Sequence, residues 1–139
     1  MTTDLEALGK AVKRAQYRNH RTMDAALRDR GTGVTLVQWD ALRAVDRMPG
    51  ASGHELALAT FQSDQAFGTL ANRLVERGLI ERSAGRGRRL EHVLTDAGRV
   101  ALDDGHEVAA DVLGELFAPL DDDQRAELLR LLSVLVDGE

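Results

Sequence analysis

Between Ser63 and Arg77 the chain sets Asp64, Gln65, Ala66, Gly68 and Thr69 around two apolar residues, Phe67 and Leu70. On a helix the apolar pair turns inward and the other five stand exposed near the helix start. Their chemistry suits the edges of planar bases. The Gln65 amide can bond bidentately to adenine, the Thr69 hydroxyl can meet polar edges or a thymine methyl, and the Ala66 methyl can touch a thymine methyl. Arg73, one turn beyond Thr69, suits a guanine or a phosphate, and Arg77 adds a cation further along. A second group follows in Gly85-Arg86-Gly87-Arg88-Arg89. Glycines make a narrow, bendable tip there, and arginines suit the negative potential of a narrow minor groove. Each group alone also fits a solvated surface, a protein-binding helix face in one case and a charged hairpin in the other. The hairpin directly after the helix favours double-stranded DNA.

Other chemistries are poorly supported. His54-Glu55-Leu56-Ala57-Leu58 begins like a zinc-protease motif, but Leu58 stands where the second histidine ligand belongs. Gly31-x-Gly33 and Gly85-x-Gly87 lack the third glycine of a dinucleotide loop. Three successive side chains at Asp121, Asp122 and Asp123 diverge on a helix, so they read as N-terminal charge favourable to the helix dipole. His20, His54, His92 and His106 include no pair at helical spacing, and no nucleophile–base arrangement is visible. The expectation is a non-enzymatic protein with no metal and no cofactor.

The elements that must position these residues follow from periodicity and caps. A first helix spans about residues 4–29, with Leu5, Leu8, Val12 and Ala15 at helical spacing. Thr35 with Gln38 and Ser52 with Glu55 form capping boxes that open a second and a third helix. The second carries Leu36, Trp39, Leu42 and Val45; the third turns Leu56, and Leu58 or Ala59, inward. Ser63 N-caps a fourth helix with Phe67, Leu70, Ala71, Leu74 and Val75 inside, and Gly78 closes it. Ile80–Ser83 and Leu90–Leu94 read as two strands around the basic tip. Thr95 or Asp96 starts a fifth helix that Pro119 ends, with Gly98, Gly105 and Gly114 weakening it locally. Asp121 and Gln124 open a last helix lined by Leu128, Leu131, Leu132 and Leu135. Leu129, Val134 and Val136 put apolar surface on its other faces, so it needs two neighbours, and a second subunit is an economical one.

The fold class is therefore mainly α with a small β-wing: a winged helix-turn-helix (34–98) flanked by N-terminal (1–31) and C-terminal (99–139) dimerisation helices in one domain, 1–139. Composition agrees. The 139 residues are 43% hydrophobic but only 4% aromatic, which implies an aliphatic core. The absence of cysteine removes disulfides and thiol redox sensing. No apolar run approaches the ~20 residues of a membrane span, and the acidic start is unlike a secretory signal, so the cytoplasm is expected. The net charge of −5 opposes non-specific nucleic-acid binding, but its distribution matters more. Arginines cluster from Arg73 to Arg99, while the chain beyond is strongly acidic. One surface can thus face phosphates while another is kept from them.

Four segments in order resemble the MarR family of bacterial transcription regulators. Thr35-Leu36-Val37-Gln38-Trp39-Asp40-Ala41-Leu42 is similar to the family's Leu-Thr-x-x-Gln-Trp-x-x-Leu, with Val34 in place of the first leucine. Glu55-Leu56-Ala57, Asn72-Arg73-Leu74-Val75-Glu76-Arg77-Gly78-Leu79-Ile80 and Leu94-Thr95-Asp96-Ala97-Gly98 match three further motifs. The resemblance implies a homodimer with intertwined terminal helices, two winged motifs on an inverted repeat, and repression relieved by an anionic or phenolic small-molecule effector. The family's wing usually carries Asp-x-Arg; here Arg86 replaces the aspartate and Arg88 keeps the arginine. The recognition helix usually has a basic or hydroxyl residue near its start, where this chain has Asp64. The expected DNA contacts are Ser52, His54, Ser63, Asp64, Gln65, Ala66, Thr69, Arg73, Arg77, Arg86, Arg88 and Arg89. The expected effector pocket, beneath the motif, includes Tyr17, His20, Arg21 and Trp39. The alternative function is a winged-helix protein-interaction module without sequence-specific DNA binding.

Overall fold

The computed structural model describes residues 2–87 and 89–138. In chain order the elements are α1 (Leu5–Asp29), α2 (Leu36–Arg47), α3 (Gly53–Ala59), α4 (Asp64–Glu76), β1 (Ile80–Ala84), β2 (Leu90–Leu94), α5 (Asp96–Leu116) and α6 (Asp122–Asp137). Each helix begins at a polar side chain that accepts from its first free amides: Asp4, Thr35, Ser52, Ser63, Thr95 and Asp121. The expected capping boxes at Thr35/Gln38 and Ser52/Glu55 are both complete, as is a third at Asp121/Gln124. Such a cap contributes about 1 kcal/mol to its helix. At the far end of α4, the amides of Gly78 and Leu79 donate to the carbonyls of Val75 and Leu74, with Gly78 at φ +73°. That is a Schellman turn, and it aims the chain directly into β1.

The core is aliphatic around two aromatic side chains, Trp39 and Phe67. Leu27, Leu42, Val45, Leu56, Phe67, Leu74, Ile80, Leu102 and Val108 are fully buried. They come from α1 to α5 and β1; α3 and α4 pack on α2, which packs in turn on α5. The wing is antiparallel, with Ile80 opposite Leu94, Arg82 opposite His92 and Ala84 opposite Leu90. Ala51, just before α3, adds an isolated bridge to His92. This fixes the wing to the start of the helix-turn-helix, a link the sequence reading did not contain.

Two local expectations change. In α3, Leu56 and Ala57 are buried, whereas Leu58 is exposed and Ala59 is also outside. Seven residues are two turns, too short for an apolar period to choose a face. On α5, Gly105 serves contact and not only local weakness. A Cβ there would lie 2.1 Å from Nε1 of Trp39, whose N–H donates to the Leu102 carbonyl at 3.1 Å. The glycine lets α5 close on the indole.

The terminal helices behave differently. The second half of α1 buries Met23 and Leu27, but Leu5, Leu8 and Val12 are exposed. No residue of α6 is buried; Leu135 is 73% exposed and Val136 76%.

Candidate nucleic-acid interface

The recognition helix of the expected motif is α4. Ser63 accepts from the Ala66 amide and fixes its start. Phe67, Ala71 and Leu74 turn inward, while Asp64, Gln65, Ala66, Thr69 and Arg73 are exposed. The expected base-reading face is therefore a free surface in the protomer. Gly68 between them is half-buried. Arg73 pairs with no other described residue. The Thr69 hydroxyl donates to the Gln65 carbonyl at 3.2 Å, which leaves its lone pairs and methyl outward.

Arg77 has a different position from the one expected. Its guanidinium donates to the Gln38 amide oxygen at 3.1 Å and the Gly33 carbonyl at 2.6 Å. Thirteen residues of helical rise place it about 20 Å from Asp64. It therefore ties the end of α4 to the start of α2 rather than reaching a groove with the others.

At the other end of α4, Asp64 is not an isolated capping charge. Its Oδ1 lies 2.9 Å from Nδ1 of His54, on the first turn of α3, and both side chains are about two-thirds exposed. Ser52, beside His54, is engaged in capping: its hydroxyl accepts from the Glu55 amide and donates to the Glu55 carboxylate. Glu55 also takes an ion pair from Arg89 at 2.6 Å, and Arg89 reaches the Gly50 carbonyl at 3.2 Å. Hydrogen bonds from Ser52, then from Arg89, hold the Glu55 carboxyl below its ordinary range. The ion pair fastens the base of the wing to α3. Arg86 stands exposed at the tip, and Arg88 lies outside the described residues.

A further contact is not legible in the sequence. Arg82 of β1 donates to the Asn72 side chain at 2.6 Å, joining wing and recognition helix. A groove of about 280 Å³ runs between them, bordered by Ser52, Asp64, Gly68, Arg82 and Arg89. Arg82 and Arg89 bring positive charge to it, Asp64 one negative charge, and Gly68 leaves room for close approach.

The four expected pocket residues do not meet. His20 and Trp39 border a cavity of about 190 Å³ with Asn19, Asp40, Arg43 and Leu113. Tyr17 and Arg21 lie instead along a separate shallow groove on α1, the guanidinium 5.7 Å from the phenol ring. Tyr17 and Arg21 are one turn apart and share a face, whereas His20 is rotated about 100° from Arg21. Trp39 is 4% exposed, so it contributes a wall rather than a free donor. Arg43 covers its ring at 4.7 Å and pairs with Asp40. Burial pushes the Asp40 carboxyl up, with Arg43 opposing that shift. The Asn19 side-chain oxygen is buried without a partner.

Comparison with known proteins agrees with this geometry. The MarR family model matches residues 32–89, from just before α2 to just before β2 of the wing. The HTH-type transcriptional repressor Rv2887 of Mycobacterium tuberculosis is 36% identical over 109 residues, covering 74% of this chain and 76% of that protein. Its crystal structure with salicylic acid, titled as a MarR family protein, superposes with a TM-score of 0.74 at 30% identity, covering 92% and 95% of the two chains. It has also been solved with DNA, at a TM-score of 0.75 and 27% identity, covering 92% and 96%. A probable transcriptional regulator from Pseudomonas aeruginosa gives a TM-score of 0.81 at 30% identity, covering 91% and 95%. Capped helices, an outward-facing α4, a wing behind it and these likenesses lead to one conclusion: the chain belongs to the MarR family.

Proposed function

We propose that this protein is a homodimeric transcriptional repressor that reads an inverted-repeat DNA site and releases it when a small anionic ligand binds. The observation that carries the reading is the exposed face of α4, where Gln65, Ala66, Thr69 and Arg73 stand beside a wing ending in arginines. A helix docks in the major groove by its N-terminal residues. Gln65 then meets adenine, Ala66 and Thr69 meet thymine methyls, and Arg73 a guanine or phosphate. The wing arginines enter the adjacent minor groove, drawn by its potential. Ser52, His54 and Ser63 border the phosphates. Residues 34–98 form the reading unit, and 1–31 with 99–139 the dimerisation arms.

Dimerisation follows from α6. Its leucines and valines are exposed in the protomer, as are Leu5, Leu8 and Val12. An apolar surface of this extent calls for a partner, and a second copy supplies the complementary arm by two-fold symmetry. The ligand site is the cavity between α1, α2 and α5. Arg43 and His20 suit an anion and Trp39 an aromatic ring. A ligand there lies where the arm meets the reading unit, so it can shift the spacing of two winged motifs provided it binds the two arrangements unequally. The relative Rv2887, solved with DNA and with salicylic acid, supports both halves of this reading.

The test is capture of sheared genomic DNA from the source organism by the purified protein, followed by sequencing and by elution with aromatic carboxylates. A small recurring set of fragments, eluted by at least one such acid, is expected. Uniform retention of all fragments or of none would refute the reading.

A further inference from the structure

The His54–Asp64 contact places an imidazole beside the one acid on the expected base-reading face. An acid at that point is unfavourable for DNA, because it faces phosphates and acceptor-rich base edges. It has one good base partner, the cytosine amino group. The ring of His54 joins Asp64 through Nδ1, which leaves Nε2 as the outward nitrogen of an exposed side chain.

Several of the surrounding charges are paired, while Arg73 on α4, Arg86 at the wing tip and Glu91 on β2 have no ion pair among the described residues. On α3, Glu55 is held by Ser52 and Arg89. From the wing, Arg82 is held by Asn72, and His92 is buried against the Ala51 carbonyl. On α2, Asp40 and Asp46 pair with Arg43 and Arg99. Asp64 is the acid on the α4 face whose partner is an imidazole, a side-chain type that can carry or lose a charge.

We propose that His54 is the positioning residue for Asp64 and that DNA binding takes up protons through this pair; the inference rests on the DNA reading above. With the imidazole neutral, its Nδ1–H orients the carboxylate but leaves one full negative charge against the phosphates. With the imidazole protonated, the pair is neutral and Nε2–H becomes a donor facing the duplex. Phosphates within about a Debye length, ~8 Å, sense the difference. DNA therefore favours the protonated pair, and affinity rises as pH falls through the imidazole range. Held by His54 at Oδ1, Asp64 keeps Oδ2 for a cytosine amino group, which makes the pair a determinant of sequence as well as of pH response.

The test uses the full-length protein and a duplex that the wild type selects from a random library at pH 7. Affinity is measured from pH 8 to pH 6 at fixed salt. One proton per protomer gives a slope of up to about two per dimer in log affinity against pH, so a rise of about tenfold or more is expected over that range. H54Q keeps a hydrogen-bonding side chain that cannot titrate; it should remain folded, bind with a flattened pH profile and stay weak at pH 6. D64N should gain affinity at pH 8, lose most of the slope and lose cytosine preference at one position per half-site. H106Q, altered far from the pair on α5, should keep the wild-type slope. Parallel profiles for wild type and H54Q, or a flat wild-type profile, would overturn the inference while leaving the DNA reading intact. Failure to enrich any duplex at any pH would overturn the DNA reading, and the proton linkage with it.

Discussion

The winged body and the arms carry comparable apolar stripes with opposite fates. In residues 34–98 Leu42, Leu56, Phe67, Leu74 and Ile80 are fully buried within one chain. In α6, Leu129, Leu131, Leu132, Leu135 and Val136 have the same kind of side chain and remain outside. Burying a leucine is favourable by about 1.5–3 kcal/mol, so the exposed set represents free energy that the proposed second copy would recover. The body buries its own stripe; in the proposed function the arms are half of an interface. In the proposed function this division matters, because the reading unit shares its core with Leu27 of α1 and Leu102 and Val108 of α5, so it moves with the arms.

The strongest way to break the comparison is to remove an arm. A chain lacking residues 121–139 should aggregate or unfold, and lose operator binding, because Leu5, Leu8 and Val12 lose their covering as well. A soluble, monomeric truncation that still binds tightly, seen by sedimentation and mobility shift, would show that the arms are dispensable. Next comes the join between arm and body, where α5 closes on Trp39. Gly105→Ala puts a methyl 2.1 Å from the indole nitrogen, and should cost about 2–3 kcal/mol of stability in denaturant titration. An unchanged midpoint would mean that α5 does not sit this close.

Smaller perturbations sharpen the division. Arg88→Ala should weaken binding to all sequences by a similar factor and lower the salt slope by about 2 per dimer, one contact per protomer. Loss confined to one operator variant with the slope unchanged would assign Arg88 to base reading instead. Last, two caps separate body from arm. Thr35→Ala and Asp121→Ala each remove a capping box, worth about 1 kcal/mol. The first should lower the melting temperature of the body at any protein concentration. The second should act mainly on dimerisation, so its effect should shrink as protein concentration rises. Identical concentration dependence for both would argue against separable regions.

What was legible in the sequence follows the same division. Helix starts at Thr35, Ser52, Ser63 and Asp121 were readable because each is set by a side chain three residues from its target amide. The strands and the closing turn at Gly78 were readable for similarly local reasons. Contacts between elements were not. Nothing local says that Arg77 belongs to Gln38 and Gly33, that Arg82 belongs to Asn72, or that Asp64 meets His54 across the helix-turn-helix. The turn itself hid a backbone choice, because Phe61 adopts φ +58° where no glycine announces it. The expected pocket failed as a set because residues close in number on α1 point to different faces, so Tyr17 and Arg21 part from His20 and Trp39.

The central claim is that two protomers present two α4 helices to one duplex. It is tested most directly by selecting binding sites from a random duplex library and weighing the complex by sedimentation. A two-fold dimer places its recognition helices about one helical turn apart, roughly 34 Å. The account predicts an inverted repeat with half-sites about 10 base pairs apart, centre to centre, bound by two protomers. A single asymmetric half-site bound by one protomer would contradict it.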